Sequence, residues 1–277
     1  MSFVRGNAPV FLKMCMKNYF DCSTEDLRNT LKKLCRFGEK QNFPERTSKD
    51  SIKILFFKRA LDAARSVLYL ASADPYSGGI IACQMFELFI VFEWLLICNT
   101  EEKINEFFDF GWIESLPHLS QQPAKAGKYL YKIKQINPER FKLPNVTFKS
   151  DADYLNRKNY RKVWHGSTLE KMEKQLSEKQ NDPSLSEAER EILSHIFMER
   201  KMYQLLCAYK HHSPYALQSY FPQSQRDDAN ISMRIASMVL YYFYSQCDLL
   251  KFLPPLLCDE MYQNVFCFKK TSKLNGY

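Results

Sequence analysis

The sequence lacks the short motifs that usually mark a metal, redox or nucleotide site. Its nine cysteines are scattered singly, their number is odd, and no two have the CxxC spacing of a zinc or redox site. Only eight glycines are present, none of them in a phosphate-binding loop, and the five histidines include no HxxxH or HExxH pair. The cysteines are therefore predicted to be small buried residues in a reducing compartment.

Two further absences concern location and fold class. The first residues contain no uninterrupted apolar core and no secretory cleavage pattern, which predicts a cytoplasmic protein. No segment alternates between apolar and polar residues, and no internal repeat is visible, so neither a sheet nor a repeat array is expected. The net charge of +8 permits an anionic partner. Because acidic residues are interspersed with the basic ones, an ordinary solvated surface accounts for this charge more simply.

Apolar residues recur at helical spacing along most of the chain, of which 45% is hydrophobic. We predict an all-α helical bundle (50–253) with an N-terminal helical extension (1–49) and a short C-terminal helix followed by a basic tail (254–277). Turn residues at 74–79 and Gly111 are expected to end helices, and the segments 112–122 and 213–228 are expected to be mostly irregular. Helices are predicted over 24–37, 50–71, 80–98, 101–110, 123–136, 168–179, 186–211 and 230–252.

The most apolar predicted helix, 80–98, is long enough to suggest a membrane span. Gln84, Glu87 and Glu93 oppose that interpretation, since a carboxylate near the bilayer centre costs roughly 3 kcal/mol. We therefore predict the central helix of a soluble bundle and no membrane partner. Glu87 should have a partner, because an unpaired buried carboxylate is costly. It either forms a structural contact between helices or lines a polar pocket.

A second candidate region lies in the long predicted helix 186–211, which begins with a capping box of Ser186 and Glu189. Tyr203, Cys207 and His211 are four residues apart and should share one helix face. Since adjacent residues on a helix point about 100° apart, His211 rather than His212 is expected to face inward. A Cys207–His211 nucleophile pair would need an open thiol, and Cys207 is instead predicted to be buried.

A third candidate region is the loop before the helix that begins near Thr168. It contains Arg161, Trp164 and His165, and the free amides of the helix start could bind an anion. The alternative is that Trp164 anchors the loop structurally. A zinc site of Glu87, His165 and His211 would require the fold to bring distant segments together, so neither a metal site nor a cofactor is predicted.

Three segments together resemble a widespread microbial all-helical family known only as a domain of unknown function. They are the apolar helix with its central glutamate and the following Phe107-Phe108-Asp109-Phe110-Gly111, the Trp164-His165-Gly166-Ser167 loop, and Tyr203-x3-Cys207-x3-His211-x-Ser213-Pro214. The resemblance covers residues 50 to 250. It implies a helical bundle and a shared site, but no activity.

In outline that bundle is similar to the HEPN superfamily, which includes defence and toxin ribonucleases and non-catalytic nucleotide-binding modules. Active members carry Arg, four to six residues, then His at a dimer interface. Only Arg190 and His195 have that spacing in this sequence, and one such match is expected by chance.

The resulting hypothesis is a cytoplasmic binding or effector module with a polar pocket of Glu87, His165, Tyr203 and His211. RNA or a nucleotide is the expected ligand, microbial stress response or phage defence the expected setting, and Trp164, Arg161 and His212 are expected to contact the ligand. One alternative is a ribonuclease with His211 or His195 as general acid-base and Arg161 stabilising charge. Another is a non-catalytic protein that forms a homodimer or binds a protein partner.

Overall fold

The computed structural model describes residues 23–41, 48–120, 123–136, 138–162, 168–187, 189–190, 193, 207 and 222–265. These residues form α-helices, shorter 3₁₀ and π-helical segments and irregular connections, and they contain no strand, which confirms the predicted all-α fold. The helices are α1 (Thr24–Glu39), α2 (Ser48–Ala73), α3 (Pro75–Cys98), α4 (Glu101–Glu114), α5 (Leu116–Ser120), α6 (Pro123–Gln135), α7 (Asp151–Leu155), α8 (Leu169–Lys179), α9 (Pro222–Gln246) and α10 (Pro255–Glu260).

The chain divides into two compact units. The first contains Met1–Arg46, Asp50–Phe92 and Gln180–Tyr277, and the second contains Thr47–Lys49 and Glu93–Lys179. The division predicted from the sequence at residues 49 and 253 follows a different criterion, the composition along the chain, and stays a prediction.

Aromatic side chains of α3 and α9 form much of the first unit's core. The Phe89 ring stacks on Tyr242 with centroids 5.4 Å apart, and the Phe92 and Phe243 centroids are 4.6 Å apart. Phe89, Phe92 and Phe243 are fully buried. Burying a phenylalanine side chain contributes roughly 1.5–3 kcal/mol, so this cluster stabilises the pairing of the two helices.

Helix α1 is attached to the first unit by an apolar stripe and a buried hydrogen bond. Ser23 caps its start by accepting a hydrogen bond from the Asp26 backbone N–H at 3.0 Å. Leu27, Leu31 and Leu34 lie on one face and are fully buried. The Tyr244 hydroxyl of α9 donates to the Leu34 carbonyl at 2.5 Å. The predicted helix beginning after Ser23 is thus confirmed, and it has a fixed partner.

The predicted turn at residues 74–79 is wrong. Helix α3 begins at Pro75, directly after Asp74, so Gly78 and Gly79 are helical. Proline is well suited to the first helical position because it has no N–H to satisfy. Gly78 is needed for a close approach instead, since a Cβ there would lie 3.0 Å from the Ala71 Cα of α2.

Two further boundaries in the second unit differ from the prediction. Helix α4 continues through Gly111 to Glu114, and α5 occupies Leu116–Ser120 within a segment expected to be irregular. A Cβ at Gly111 would meet nothing within 4 Å, so no close neighbour requires a glycine at this position. A glycine can end a helix, but Gly111 keeps helical geometry while buried Ile113 and Leu116 continue the apolar pattern.

Helix α9 starts and ends earlier than predicted. It begins at Pro222, inside the segment 213–228 that was expected to be mostly loop, and ends at Gln246 rather than at residue 252. The early end has a local cause. Asp248 adopts a left-handed conformation with φ of 56°. The Asp248 N–H donates to the Ser245 carbonyl, and the Leu249 N–H donates to the Tyr244 carbonyl. This pattern satisfies carbonyls at the end of the helix.

The capping box predicted for the long helix 186–211 is confirmed. The Ser186 backbone N–H donates to Glu189 Oε2 at 2.8 Å, and the Glu189 N–H donates to Ser186 Oγ at 3.2 Å. Residues 187, 189, 190, 193 and 207 are helical, and the rest of this predicted helix lies outside the described residues.

Polar contacts link segments of the second unit that are distant in the sequence. The Trp94 indole N–H donates to Gln175 Oε1 of α8 at 2.5 Å, and Arg140 lies 3.5 Å from Glu106 and 3.6 Å from Glu102 of α4. Burial raises the pKa of the Asp109 carboxyl in α4, and the nearby Arg140 guanidinium opposes that shift.

Helix α3 is long and apolar enough to cross a membrane, judged by length and composition alone. Within its most apolar stretch, 56% of the residues are buried by the protein itself. The core helix of a soluble protein passes the same test, so the expected absence of a membrane partner stays a prediction.

Candidate functional site

Glu87 is the member of the predicted pocket whose position the structure describes. Three other pocket residues and two predicted ligand contacts lie outside the described residues: His165, Tyr203, His211, Trp164 and His212. That Glu87 lies beside His165, Tyr203 and His211 therefore stays a prediction.

Glu87 takes part in a cluster with two cysteines of the first unit. Cys83 lies one helical turn before it on α3, and the Cys83 sulfur is 4.0 Å from Glu87 Oε1. The Cys207 sulfur lies 3.5 Å from that of Cys83, although the two residues are 124 positions apart in the chain. One ligand atom from each of the three residues lies within 4.8 Å of the other two. We call this set the thiol–carboxylate cluster.

The cluster is closed on one side and open on the other. Cys83 is fully buried, whereas Glu87 and Cys207 are partly exposed. The prediction that Cys207 is buried is thus wrong, since its thiol lies at the half-open side of the cluster. Neither cysteine forms a disulfide. Thiolate and carboxylate are ligand types that zinc binds, so the cluster has the donors of a metal site.

Arg161, predicted to contact a ligand, belongs to the second unit. It is exposed, and its backbone N–H donates to the Phe141 carbonyl at 2.7 Å. Arg190 is exposed as well, and its predicted partner His195 lies outside the described residues.

A basic groove lies between α1 and α2 in the first unit, with a volume of about 420 Å³. Its four basic side chains face a single carboxylate, giving a local excess of three positive charges. The lining residues are Arg28, Lys32, Cys35, Arg36 and Glu39 of α1 with Arg65, Leu68 and Tyr69 of α2.

The sequence of α1 produces one wall of this groove. Arg28, Lys32 and Arg36 follow each other at intervals of four residues and therefore share one helix face. The buried leucine stripe lies on the opposite side of α1, so packing against the core directs the basic face outward. All three basic residues are exposed.

The cations of the groove differ in how far they are neutralised. Arg65 lies 3.1 Å from Glu39 and 3.6 Å from Asp62. No carboxylate in the described part of the chain pairs with the Arg28, Lys32 or Arg36 side chain. These three cations of α1 are therefore the ones available to an anion.

The floor of the groove is chemically inert at neutral pH. Burial raises the pKa of the Cys35 thiol to about 12, with the Glu39 carboxylate adding to the shift and Arg65 opposing it. The thiol therefore stays protonated, neither cancelling the positive charge nor acting as a nucleophile. On the rim, the Tyr69 side chain is 75% exposed.

Residues 50–229 match the family of unknown function DUF5677, roughly two thirds of the chain. The chain belongs to this family. No curated protein and no solved structure matches it. The DUF5677 region contains the complete thiol–carboxylate cluster and the α2 wall of the basic groove. The α1 wall precedes it, so the groove needs a segment outside the family match.

Sequence reasoning missed both Cys83 and the basic groove. The four-residue interval between Cys83 and Glu87 was a usable signal, because it places two ligand atoms on one helix face. The repeated interval from Arg28 to Arg36 was another. Neither signal identifies the opposing residue, which comes from a different segment of the chain.

Proposed function

We propose that this protein is a binding module whose basic groove holds the phosphate and base of a nucleotide unit, either free or within single-stranded RNA. The observation that carries the proposal is the arrangement of three available cations of α1 beside the exposed Tyr69 ring. The proposed setting, microbial stress response or phage defence in the cytoplasm, rests on the family resemblance alone.

The cations account for the phosphate. Arginine and lysine bind phosphate oxygens through charge-assisted hydrogen bonds, and the arginine guanidinium can donate two at once. Arg28, Lys32 and Arg36 are spaced along one exposed face of α1, so they can follow successive phosphates of a strand. Arg65 contributes less, because Glu39 and Asp62 already neutralise part of its charge.

The exposed tyrosine accounts for the base. A ring that is 75% exposed gains little from protein packing but offers a flat apolar face to a ligand. Stacking of a base on an aromatic side chain contributes about 1–3 kcal/mol and tolerates any base. The half-buried Leu68 beside it adds apolar surface.

The dimensions are compatible with this ligand. A volume of about 420 Å³ lies within the range of roughly 300–1,000 Å³ typical of small-molecule sites. The groove is open, so a longer strand can continue beyond it.

Fluorescence anisotropy with a labelled, unstructured RNA tests the proposal, with free nucleotides as competitors. Wild-type protein should bind the RNA at low salt. Lys32→Ala and Arg36→Ala should each weaken binding about tenfold or more, since a hydrogen bond to a charged group is worth about 1.5–3 kcal/mol. Tyr69→Ala should weaken it at least as much, through lost stacking.

Lys58→Ala is the matched control. Lys58 is an exposed cation of α2 that does not line the groove, so its removal changes the net charge by the same amount. If Lys58→Ala weakened RNA binding as much as Lys32→Ala does, the proposal would be wrong, because RNA would then bind through non-specific attraction to a basic protein.

The same assay separates the other candidate functions. Electrophoresis of the RNA after incubation would reveal the ribonuclease alternative as shortened products. A homodimer or protein-interaction role predicts that neither RNA nor nucleotide binds at any salt concentration.

A further inference from the structure

The thiol–carboxylate cluster (Cys83, Glu87 and Cys207) shares no residue with the basic groove and requires its own explanation. Cys83 and Glu87 are one turn apart on α3, and Cys207, itself in helical conformation, lies 124 positions from Cys83 in the sequence. Cys83 and Glu87 share one face of α3 because they are four residues apart. Their meeting with a second thiol brings three metal-binding side chains together.

The sulfur separation agrees with two thiolates sharing one ion. A tetrahedral zinc ion with Zn–S bonds of about 2.3 Å holds its two sulfurs about 3.8 Å apart. The observed separation is 3.5 Å. A disulfide would require about 2.05 Å, so the two sulfurs are not bonded to each other.

The third ligand selects among metals. Glu87 Oε1 lies 4.0 Å from the Cys83 sulfur, while a zinc ion bound to both atoms would hold them about 3.6 Å apart. Copper(I) favours soft ligands such as sulfur over carboxylate, and magnesium and calcium favour oxygen. A mixed set of two sulfurs and one oxygen favours zinc.

Burial supports a retained ion with access to solvent. The Cys83 side chain is fully buried, and its neighbours Ala82 and Phe86 are too, so water is excluded on that side. Glu87 and Cys207 are partly exposed, which gives an ion a route of entry. Three ligands leave one position of a tetrahedral ion for another donor.

We propose that Cys83, Glu87 and Cys207 bind a zinc ion within the first unit. On binding, each thiol gives its proton to solvent and its sulfur forms a bond to the ion, while the carboxylate binds in its ionised form. Two protons are released for each ion bound, so zinc affinity falls as the pH is lowered. This site differs from the sequence-based expectation that no metal is bound, because its two cysteines lie 124 residues apart.

Metal titration of the full-length, untagged protein tests the proposal. The protein is reduced, stripped with a chelator and titrated with Zn²⁺ against a colorimetric competitor. Cobalt(II) is titrated separately as a spectroscopic probe. One equivalent of zinc should bind, and cobalt should produce a thiolate charge-transfer band together with the visible bands of tetrahedral coordination.

Three variants and one control assign the ligands. Cys83→Ser, Cys207→Ser and Glu87→Gln should each weaken zinc binding by at least about tenfold, as even outer-shell changes commonly do. The two serine variants should also reduce the charge-transfer band. Cys98→Ser is the control, since Cys98 is a partly exposed cysteine of α3 that lies outside the cluster.

Circular dichroism of each apo variant checks that it is folded. If a serine variant unfolds, the near-isosteric Glu87→Gln variant decides the question alone. The proposal is overturned if the reduced wild type holds no stoichiometric zinc, or if Glu87→Gln binds zinc as tightly as wild type. It is likewise overturned if Cys98→Ser weakens zinc binding as much as Cys83→Ser does.

Discussion

Replacing Gly38 with alanine should weaken the packing of α1 onto the first unit. An added Cβ would lie 2.8 Å from the Tyr244 hydroxyl oxygen, 3.0 Å from Leu61 Cδ1 and 3.1 Å from Phe57 Cζ. The hydroxyl cannot move away freely, because it donates a hydrogen bond to the Leu34 carbonyl at 2.5 Å. Burial raises the pKa of Tyr244, so this hydroxyl keeps its proton at neutral pH.

Two opposing effects determine how much Gly38→Ala changes the free energy of unfolding. Inserting a methyl group into a well-packed site typically costs 1–3 kcal/mol, here roughly the upper half of that range because three contacts tighten at once. Alanine offsets about 1 kcal/mol, since it is the better helix former. The free energy of unfolding should therefore fall by about 1–2 kcal/mol, which lowers the Tm by roughly 2–8 °C.

Thermal and urea unfolding measure this change, and Gly111→Ala is the matched control. Gly111 is also helical, but a Cβ there meets nothing within 4 Å. Gly111→Ala should thus raise stability by up to about 1 kcal/mol. The opposite signs of the two substitutions are the prediction, and the reasoning is refuted if Gly38→Ala stabilises the protein as Gly111→Ala does.

A double-mutant cycle identifies the clashing atom. Tyr244→Phe alone should cost about 1 kcal/mol, through loss of one hydrogen bond. Gly38→Ala should be less costly in the Tyr244→Phe background, because the closest atom is gone and only Leu61 and Phe57 remain near. Additive effects, within roughly 0.5 kcal/mol, would show that the hydroxyl is not the obstacle.

Three more predictions concern other positions. Gly78→Ala should lower the free energy of unfolding by about 1–2 kcal/mol, because the new Cβ would lie 3.0 Å from the Ala71 backbone and the better helix propensity of alanine offsets only about 1 kcal/mol of that cost. An unchanged Tm would contradict this. Ser186→Ala should lower the free energy of unfolding in urea by about 1 kcal/mol, because it removes the capping box with Glu189. A decrease below about 0.2–0.3 kcal/mol would contradict a stabilising role of this capping box. Backbone hydrogen bonding, first of all from the Lys149 N–H, lowers the pKa of the Asp153 carboxyl in the folded protein. The ionised carboxylate therefore contributes its full stabilisation above the ordinary pKa of 3.8, and this contribution is lost as the pH falls through the lower pKa of the folded state. The Tm difference between wild type and Asp153→Asn should therefore shrink below about pH 4, and a constant difference from pH 7 to pH 3 would be inconsistent with this linkage.

The helices were predictable because their apolar spacing is a local property. Leu27, Leu31 and Leu34 repeat at helical intervals, and all three are buried as that pattern requires. Errors occurred where a glycine was interpreted from its type alone. Gly78 permits a close helix approach and Gly111 occupies an exposed helical position, and neither role can be distinguished from a turn without the neighbouring segments.

The candidate sites were less predictable because each needs two distant segments. The interval from Cys83 to Glu87 is visible in the sequence, but the approach of Cys207 depends on the tertiary fold. The basic face of α1 is likewise a local pattern, while the position of Tyr69 beside it depends on how α1 packs against α2. Periodicity identifies which face a residue occupies, but it does not identify what that face meets.

The salt dependence of RNA binding tests the groove most directly. For single strands, the slope of log affinity against log salt concentration falls by about 0.7 for each phosphate neutralised. Wild type should therefore give a slope of about −2 to −3 if the three available cations of α1, with or without Arg65, contact phosphates. Arg36→Ala should make the slope less steep by about 0.7, and Lys58→Ala should leave it unchanged. An identical slope for wild type and Arg36→Ala would contradict the proposed site.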